Sequence, residues 1–281
     1  MIDTELEQLY SPSKWAKRDQ VIQRHVDFGV EESKKSRDEI PCELNVSYGE
    51  RQRAKLDIYG TDLPDSAPIF IFVHGGYWQE LSKDNSSYAA QSFYKYNIKT
   101  IVIGYTLCPE VTLNDIVKEI EQATKHCVEY AKKYGSRGIY MSGYSAGSHL
   151  IASLFSNLFP SLSQDDHNLF KGIILCGGLY NLEPLLFTTM NESLRLTYED
   201  TVQLSPIFHK IPALIFPVYV VVGEYDTPAF IQQSTLYFDK IQSSCKAEFK
   251  ILNDTDHFDI VEKMKYTDYE LVKYIINMDK Q

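Results

Sequence analysis

No apolar run in this chain is long enough to cross a bilayer. The longest, residues 211–222, falls well short of the roughly 20 residues a spanning helix needs and is interrupted by Pro212 and Pro217. Positive charge is also scarce: 28 Lys and Arg stand against 38 Asp and Glu, a net charge of −10, and the basic residues are scattered. Nucleic acid and anionic membrane surfaces are therefore not expected partners. Cysteine is sparse and unpaired. Cys42, Cys108, Cys127, Cys176 and Cys245 are odd in number, widely spaced and free of any C-x-x-C pair, which argues against a disulfide framework or a metal site and for buried thiols. Residues 1–7 lack the basic and apolar regions of a signal peptide, so the expected compartment is the cytoplasm. Repeats, low-complexity tracts and linkers are missing too, and a single domain over residues 1–281 is the simplest organisation.

What is present is an alternation. Residues 1–40 are charged and helix-prone, an N-terminal helical extension packed on the domain. Residues 43–48 and 53–59 read as two strands joined by Gly49-Glu50-Arg51-Gln52. Strand-like runs follow at 69–73, 99–104, 138–142, 171–176, 217–223 and 247–252, with helix-like segments at about 84–97, 112–134, 146–160, 228–243 and 259–277. This predicts an α/β fold: a mostly parallel, eight-stranded sheet with helices on both faces. Residues 180–212 carry no strand signal, and a connection that long reads as a small cap or lid insertion.

The chemistry starts at Gly143-Tyr144-Ser145-Ala146-Gly147, a G-x-S-x-G between a strand and a helix. That context is a nucleophile elbow, with Ser145 exposed on a sharp turn. A nucleophilic serine needs a base, and the base needs an orienting carboxylate. Asp226 follows the strand that ends at Gly223, and His257 follows the strand that ends at Leu252, in the order Ser, Asp, His. Glu224, Asp254 and Asp256 compete for the acid role, but Asp256 is adjacent to His257 and poorly placed to bond its ring. The Ala146 amide and a glycine loop, Gly75 or Gly76 in His74-Gly75-Gly76-Tyr77-Trp78, are the expected oxyanion hole. His74 is read as structural support, and Tyr77, Trp78 and Tyr144 as substrate contacts. The Tyr, Leu and Pro of Gly104-Tyr105-Thr106-Leu107-Cys108-Pro109-Glu110 are read as a brace for the glycine loop.

Over residues 43–281 this set resembles the α/β-hydrolase fold, in the esterase branch related to hormone-sensitive lipase. That branch has a third glycine where Tyr77 stands here and an acidic residue where Gly104 stands. His-Gly-Gly-Tyr-Trp is instead similar to the kynurenine formamidase (arylformamidase) family, as is Tyr180-Asn181-Leu182-Glu183-Pro184, with Asn in place of Asp. The resemblance implies cleavage of N-formyl-L-kynurenine, a small aromatic formamide, to kynurenine and formate by Ser145, Asp226 and His257. No metal or organic cofactor is implied, and the oligomeric state is left open, a homodimer among the options. A broad carboxylesterase of the same fold is the rival, and a non-catalytic binding module a more distant one.

Overall fold

A computed structural model describes residues 2–279, which form one sheet of eight strands. The strands are β1 (Cys42–Ser47), β2 (Lys55–Tyr59), β3 (Ile69–Val73), β4 (Lys99–Ile103), β5 (Ile139–Tyr144), β6 (Phe170–Cys176), β7 (Val218–Gly223) and β8 (Ala247–Leu252). Their spatial order is β1-β2-β4-β3-β5-β6-β7-β8. β2 is antiparallel to both neighbours, and the remaining pairs are parallel. The helices are α1 (Thr4–Leu9), α2 (Val21–Glu39), α3 (Ala90–Tyr94), α4 (Leu113–Tyr134), α5 (Ala146–Asn157), α6 (Gln164–Leu169), α7 (Asn191–Leu194), α8 (Tyr198–Leu204), α9 (Pro228–Ile241), α10 (Asp259–Glu262) and α11 (Glu270–Asp279).

Strand residues alternate between two faces, and the core divides accordingly. Ile69, Ile71, Val73, Ile173, Leu175, Val218, Val220 and Val222 join the helix α4, α5 and α9 side. Phe70, Phe72, Ile174, Tyr219 and Val221 join Phe93, Ile260, Leu271 and Ile275 on the other. With both faces covered, the central strands are buried along their whole length rather than at alternate residues. Local signals set the helix ends. Thr112 and Asp115 form a capping box before α4, and Gly135 closes it at φ +68.

Two predicted helices are shorter in the structure. Of 84–97, only α3 and one 3-10 turn at Lys83–Asn85 are helical. The Asn85 side chain accepts from the Ser82 amide and Ser86 Oγ donates to the Ser82 carbonyl, so polar side chains bind the backbone that a helix would use. The segment 259–277 breaks into α10, a 3-10 turn and α11, with Tyr269 Oη returning to the Ile260 carbonyl across the break. Residues 180–212 contain no strand, only α7, α8 and two 3-10 turns. The cysteines are free thiols, three buried and Cys42 and Cys245 half-buried.

Strand order positions the site. The connections after β3 and β5 leave in opposite directions along the sheet, and such a reversal opens a crevice at the carboxyl edge. Val73 is level with Gly143, and Gly223 with Leu252, so the loops after β3, β5, β7 and β8 emerge along that edge together.

Candidate active site

Ser145 sits at the crevice in a conformation few L-residues adopt, φ 53 and ψ −115, between the last residue of β5 and the first of α5. Its amide donates to the Cys176 carbonyl at 2.8 Å, which anchors the turn to β6. The turn is tight enough to require both flanking glycines. A Cβ on Gly143 would lie 2.4 Å from the Gly147 carbonyl oxygen, and one on Gly147 would lie 2.1 Å from that of Val73. Strain held this firmly is characteristic of functional turns.

His257 Nδ1 donates to Asp226 Oδ2 at 2.6 Å, with both side chains almost wholly buried. The other carboxylate oxygen accepts from the Thr227 amide at 2.8 Å, which fixes its orientation. Because Nδ1 carries the donated proton, Nε2 is the basic nitrogen. The imidazole is walled by Tyr144, Phe230 and Phe258, with ring centroids 5.1, 4.8 and 5.7 Å away. Gly177, at φ +51, leaves room for the pair, since a Cβ there would lie 3.2 Å from Asp226 Oδ2 and from the imidazole. The competing acids are engaged elsewhere. Asp256 holds Arg18 and caps the amides of Phe258 and Asp259, Glu224 accepts from the Asp254 amide, and Asp254 accepts from Tyr225 Oη.

The glycine loop is strained as well. Gly76, Tyr77 and Trp78 follow one another at φ +100, 50 and 58. Among the described residues, no protein acceptor takes the amides of Gly75, Gly76, Tyr77 or Ala146. Ala146 opens α5, whose first turn carries no acidic residue, so the positive dipole end there is not neutralised. The loop is braced from behind. Tyr105 Oη donates to the His74 and Gly75 carbonyls at 3.0 and 3.2 Å, and its ring stacks on His74 at 4.2 Å. His74 is fully buried with its Nδ1 on the Gly75 carbonyl, and burial pushes it down to about 4, so it is neutral.

A cavity of about 210 Å³ opens here, lined by Ser145, His257, Gly76, Tyr77 and Tyr144 among others. Trp78 is not part of it. From its place beside the glycine loop Trp78 is expected to contact substrate, but the side chain is fully buried, packed edge-on to His149 at 4.9 Å. The three left-handed residues turn the chain so that the indole enters the core. Tyr77 lines the cavity while its hydroxyl donates to the Tyr10 carbonyl at 2.6 Å.

No residue of the N-terminal segment is singled out by sequence pattern, yet that segment supplies much of the lining. Tyr10, Ser11, Pro12, Ser13, Ile22, His25 and Val26 line the cavity, whereas residues 180–212 supply only Met190. The two segments are tied together, since Glu7 accepts from the Thr189 amide and hydroxyl at 2.8 and 2.6 Å. Arg18 fastens the N-terminal segment to Asp256 and Glu262, and His25 Nδ1 meets Glu262 at 2.8 Å. Among the described residues there is no cluster of three or more His, Cys, Asp or Glu arranged to hold a metal ion, and no helix is long and apolar enough to cross a membrane.

Comparison with known proteins agrees with this architecture. The BD-FAE family model matches residues 56–169. A kynurenine formamidase from Danio rerio is 32% identical over 290 residues, covering 99% of this chain and 97% of the relative. One from Salmo salar is 32% identical, covering 98% and 95%. A Silicibacter crystal structure provisionally described as a thioesterase superposes with a TM-score of 0.81 at 27% identity, covering 96% of this chain and 98% of that one.

Proposed function

The chain belongs to the kynurenine formamidase family of α/β-hydrolases, and from that premise we propose that it hydrolyses N-formyl-L-kynurenine to L-kynurenine and formate through a formyl-Ser145 intermediate. The observation that carries this reading is the 2.6 Å His257–Asp226 pair, with His257 opening onto the same cavity as the strained Ser145.

In the first step His257 Nε2 takes the Ser145 proton as Oγ attacks the formyl carbon. Asp226 stabilises the imidazolium that results. Amides of Ala146 and of Gly75 or Gly76 receive the oxyanion, where preorganised donors are most effective. His257 then gives its proton to the departing aniline nitrogen as the C–N bond breaks. Water, deprotonated by the same imidazole, attacks the formyl ester, and formate leaves as Ser145 regains its proton. Binding is supported by the aromatic and apolar lining, in which Tyr144, Tyr77, Phe258, Ile22 and Met190 offer surfaces to a flat aryl group. Burial keeps the phenols of Tyr77 and Tyr144 protonated, so neither adds a negative charge beside the oxyanion.

Steady-state kinetics on N-formyl-L-kynurenine and on p-nitrophenyl acetate and butyrate test the reading. The formamide is expected to have the higher kcat/KM, and a clear preference for the esters would overturn it in favour of a broad carboxylesterase.

A further inference from the structure

His25 lines the cavity from α2, a helix outside the sheet and loops that carry the proposed triad. Its ring lies 5.8 Å from that of Tyr144 and 5.3 Å from that of Phe258, and Tyr144 in turn lies 5.1 Å from His257. His25 therefore stands one aromatic ring away from the proposed base, facing the same space.

Its orientation is fixed by a second histidine–carboxylate pair. Nδ1 meets Glu262 Oε1 at 2.8 Å, while Glu262 Oε2 accepts from Arg18 at 2.7 Å. Burial alone would raise the Glu262 carboxyl, but the hydrogen bonds from His25 and Arg18 outweigh it and hold the group below its usual range. Glu262 is thus an ionised acceptor and Nδ1 must be the donor. Among the described residues no protein atom partners Nε2, the nitrogen at the other end of the ring.

The cavity lining holds no Lys or Arg. Apart from phenols, its ionisable side chains are His25, His257 and Glu80. His257 is committed to the chemistry, and Glu80 would repel an anion. Behind His25, the carboxylates of Asp256, Asp259 and Glu262 face the guanidinium of Arg18, with Lys263 3.9 Å from Asp259, so carboxylates there still outnumber cations. A ring with protons on both nitrogens would bridge Glu262 to an incoming carboxylate.

We infer that His25 is a specificity-determining residue that receives the carboxylate of the substrate's amino-acid tail, an assignment that rests on the formamidase reading above. The aryl ring lies against Tyr144 and Phe258, the formyl carbon reaches Ser145, and the tail extends toward α2. A merely structural His25, serving only to seat α2 on Glu262, would affect every substrate alike.

The test compares wild-type full-length protein with His25→Gln on N-formyl-L-kynurenine and on N-formylaniline, which has no tail. The expected result is a KM for formylkynurenine raised roughly 10- to 100-fold, the effect of losing a charge-assisted hydrogen bond, with kcat and N-formylaniline hydrolysis within about twofold. Equal losses on both substrates, or no change on either, would overturn the assignment. Carboxyl-amidated formylkynurenine on the wild-type enzyme supplies a measurement independent of the variant's folding. Its KM should rise to match that of His25→Gln on the parent substrate, and an unchanged KM would also overturn the assignment. Wild-type protein that cleaves p-nitrophenyl acetate but neither formamide would instead remove the formamidase reading, and this inference with it.

Discussion

Arg18 grips Asp256 with two guanidinium nitrogens, at 3.1 and 3.2 Å, one residue ahead of His257. A third nitrogen reaches Glu262 at 2.7 Å, so one side chain joins the N-terminal segment to the loop and helix that follow β8. The wall of the cavity and the position of the proposed base are thereby coupled.

Arg18→Ala should loosen that wall. Removing one partner from a buried ion cluster is costly, but Arg18 keeps 28% of its side chain exposed, and solvent screening reduces the effect to about 1–3 kcal/mol. Urea denaturation should show the loss, and limited proteolysis should cut near residues 10–20 faster than in wild type. An unchanged midpoint with unchanged proteolysis would refute the coupling.

Asp226→Asn should leave the fold intact while lowering kcat by roughly 10⁴, because the amide stabilises the wrong imidazole tautomer and cannot support the imidazolium. Circular dichroism and turnover on formylkynurenine check both halves. A loss of less than tenfold would remove Asp226 from its assigned role.

Gly147→Ala should prevent folding or cost more than about 4 kcal/mol, since the new methyl would lie 2.1 Å from the Val73 carbonyl oxygen and 2.7 Å from that of His74. Backbone at the sheet edge cannot yield as a flexible side chain can. Gly135→Asn is the contrast: at φ +68 with nothing within 4 Å of its Cβ, it should cost no more than about 1 kcal/mol. Similar soluble yields and melting temperatures for the two variants would contradict the clash.

Acid should destabilise the protein before its carboxylates protonate. Burial pushes His74 and His149 down to about 4, from 6.5 in the unfolded chain. Their contribution is therefore complete above pH 6.5 and is lost as pH falls toward 4, by up to about 3 kcal/mol per ring. Unfolding free energies measured between pH 7 and 5 should decline, and His149→Gln should flatten the decline. A level profile over that range would show that the rings are not held neutral.

Much of the sheet was legible because a strand buried on both faces, such as β3, is a continuous apolar run, while the edge strand β8 alternates apolar with charged residues. The predicted 69–73 and 247–252 coincide with β3 and β8, and the others differ by one or two residues at their ends. Trp78 was misread for a conformational reason. Its direction depends on successive left-handed residues at Gly76, Tyr77 and Trp78, which no side-chain pattern announces. The helical character of residues 1–40 was legible, but the buried face of α2 was not. Its buried stripe is Val21, His25, Gly29, Glu32, Ser33 and Ser36, helical in spacing but mostly polar or small, so hydrophobic periodicity is blind to it. That stripe packs through specific contacts, with Ser33 Oγ accepting from the Ser87 amide at 3.0 Å and Ser36 Oγ donating to the Ser87 carbonyl at 2.9 Å.

From the sequence alone came the strand order along the chain, the elbow at Ser145, and the candidates Asp226 and His257, because each follows from a local pattern and its place after a strand. Tertiary structure alone decided what encloses the site. The Arg18–Asp256 and His25–Glu262 contacts join residues 238 and 237 positions apart, and polar pairs at such separations leave no periodic or compositional trace. They exist only once the sheet has brought the β8 loop beside α2, which is why candidate residues could be named from local pattern and the wall around them could not.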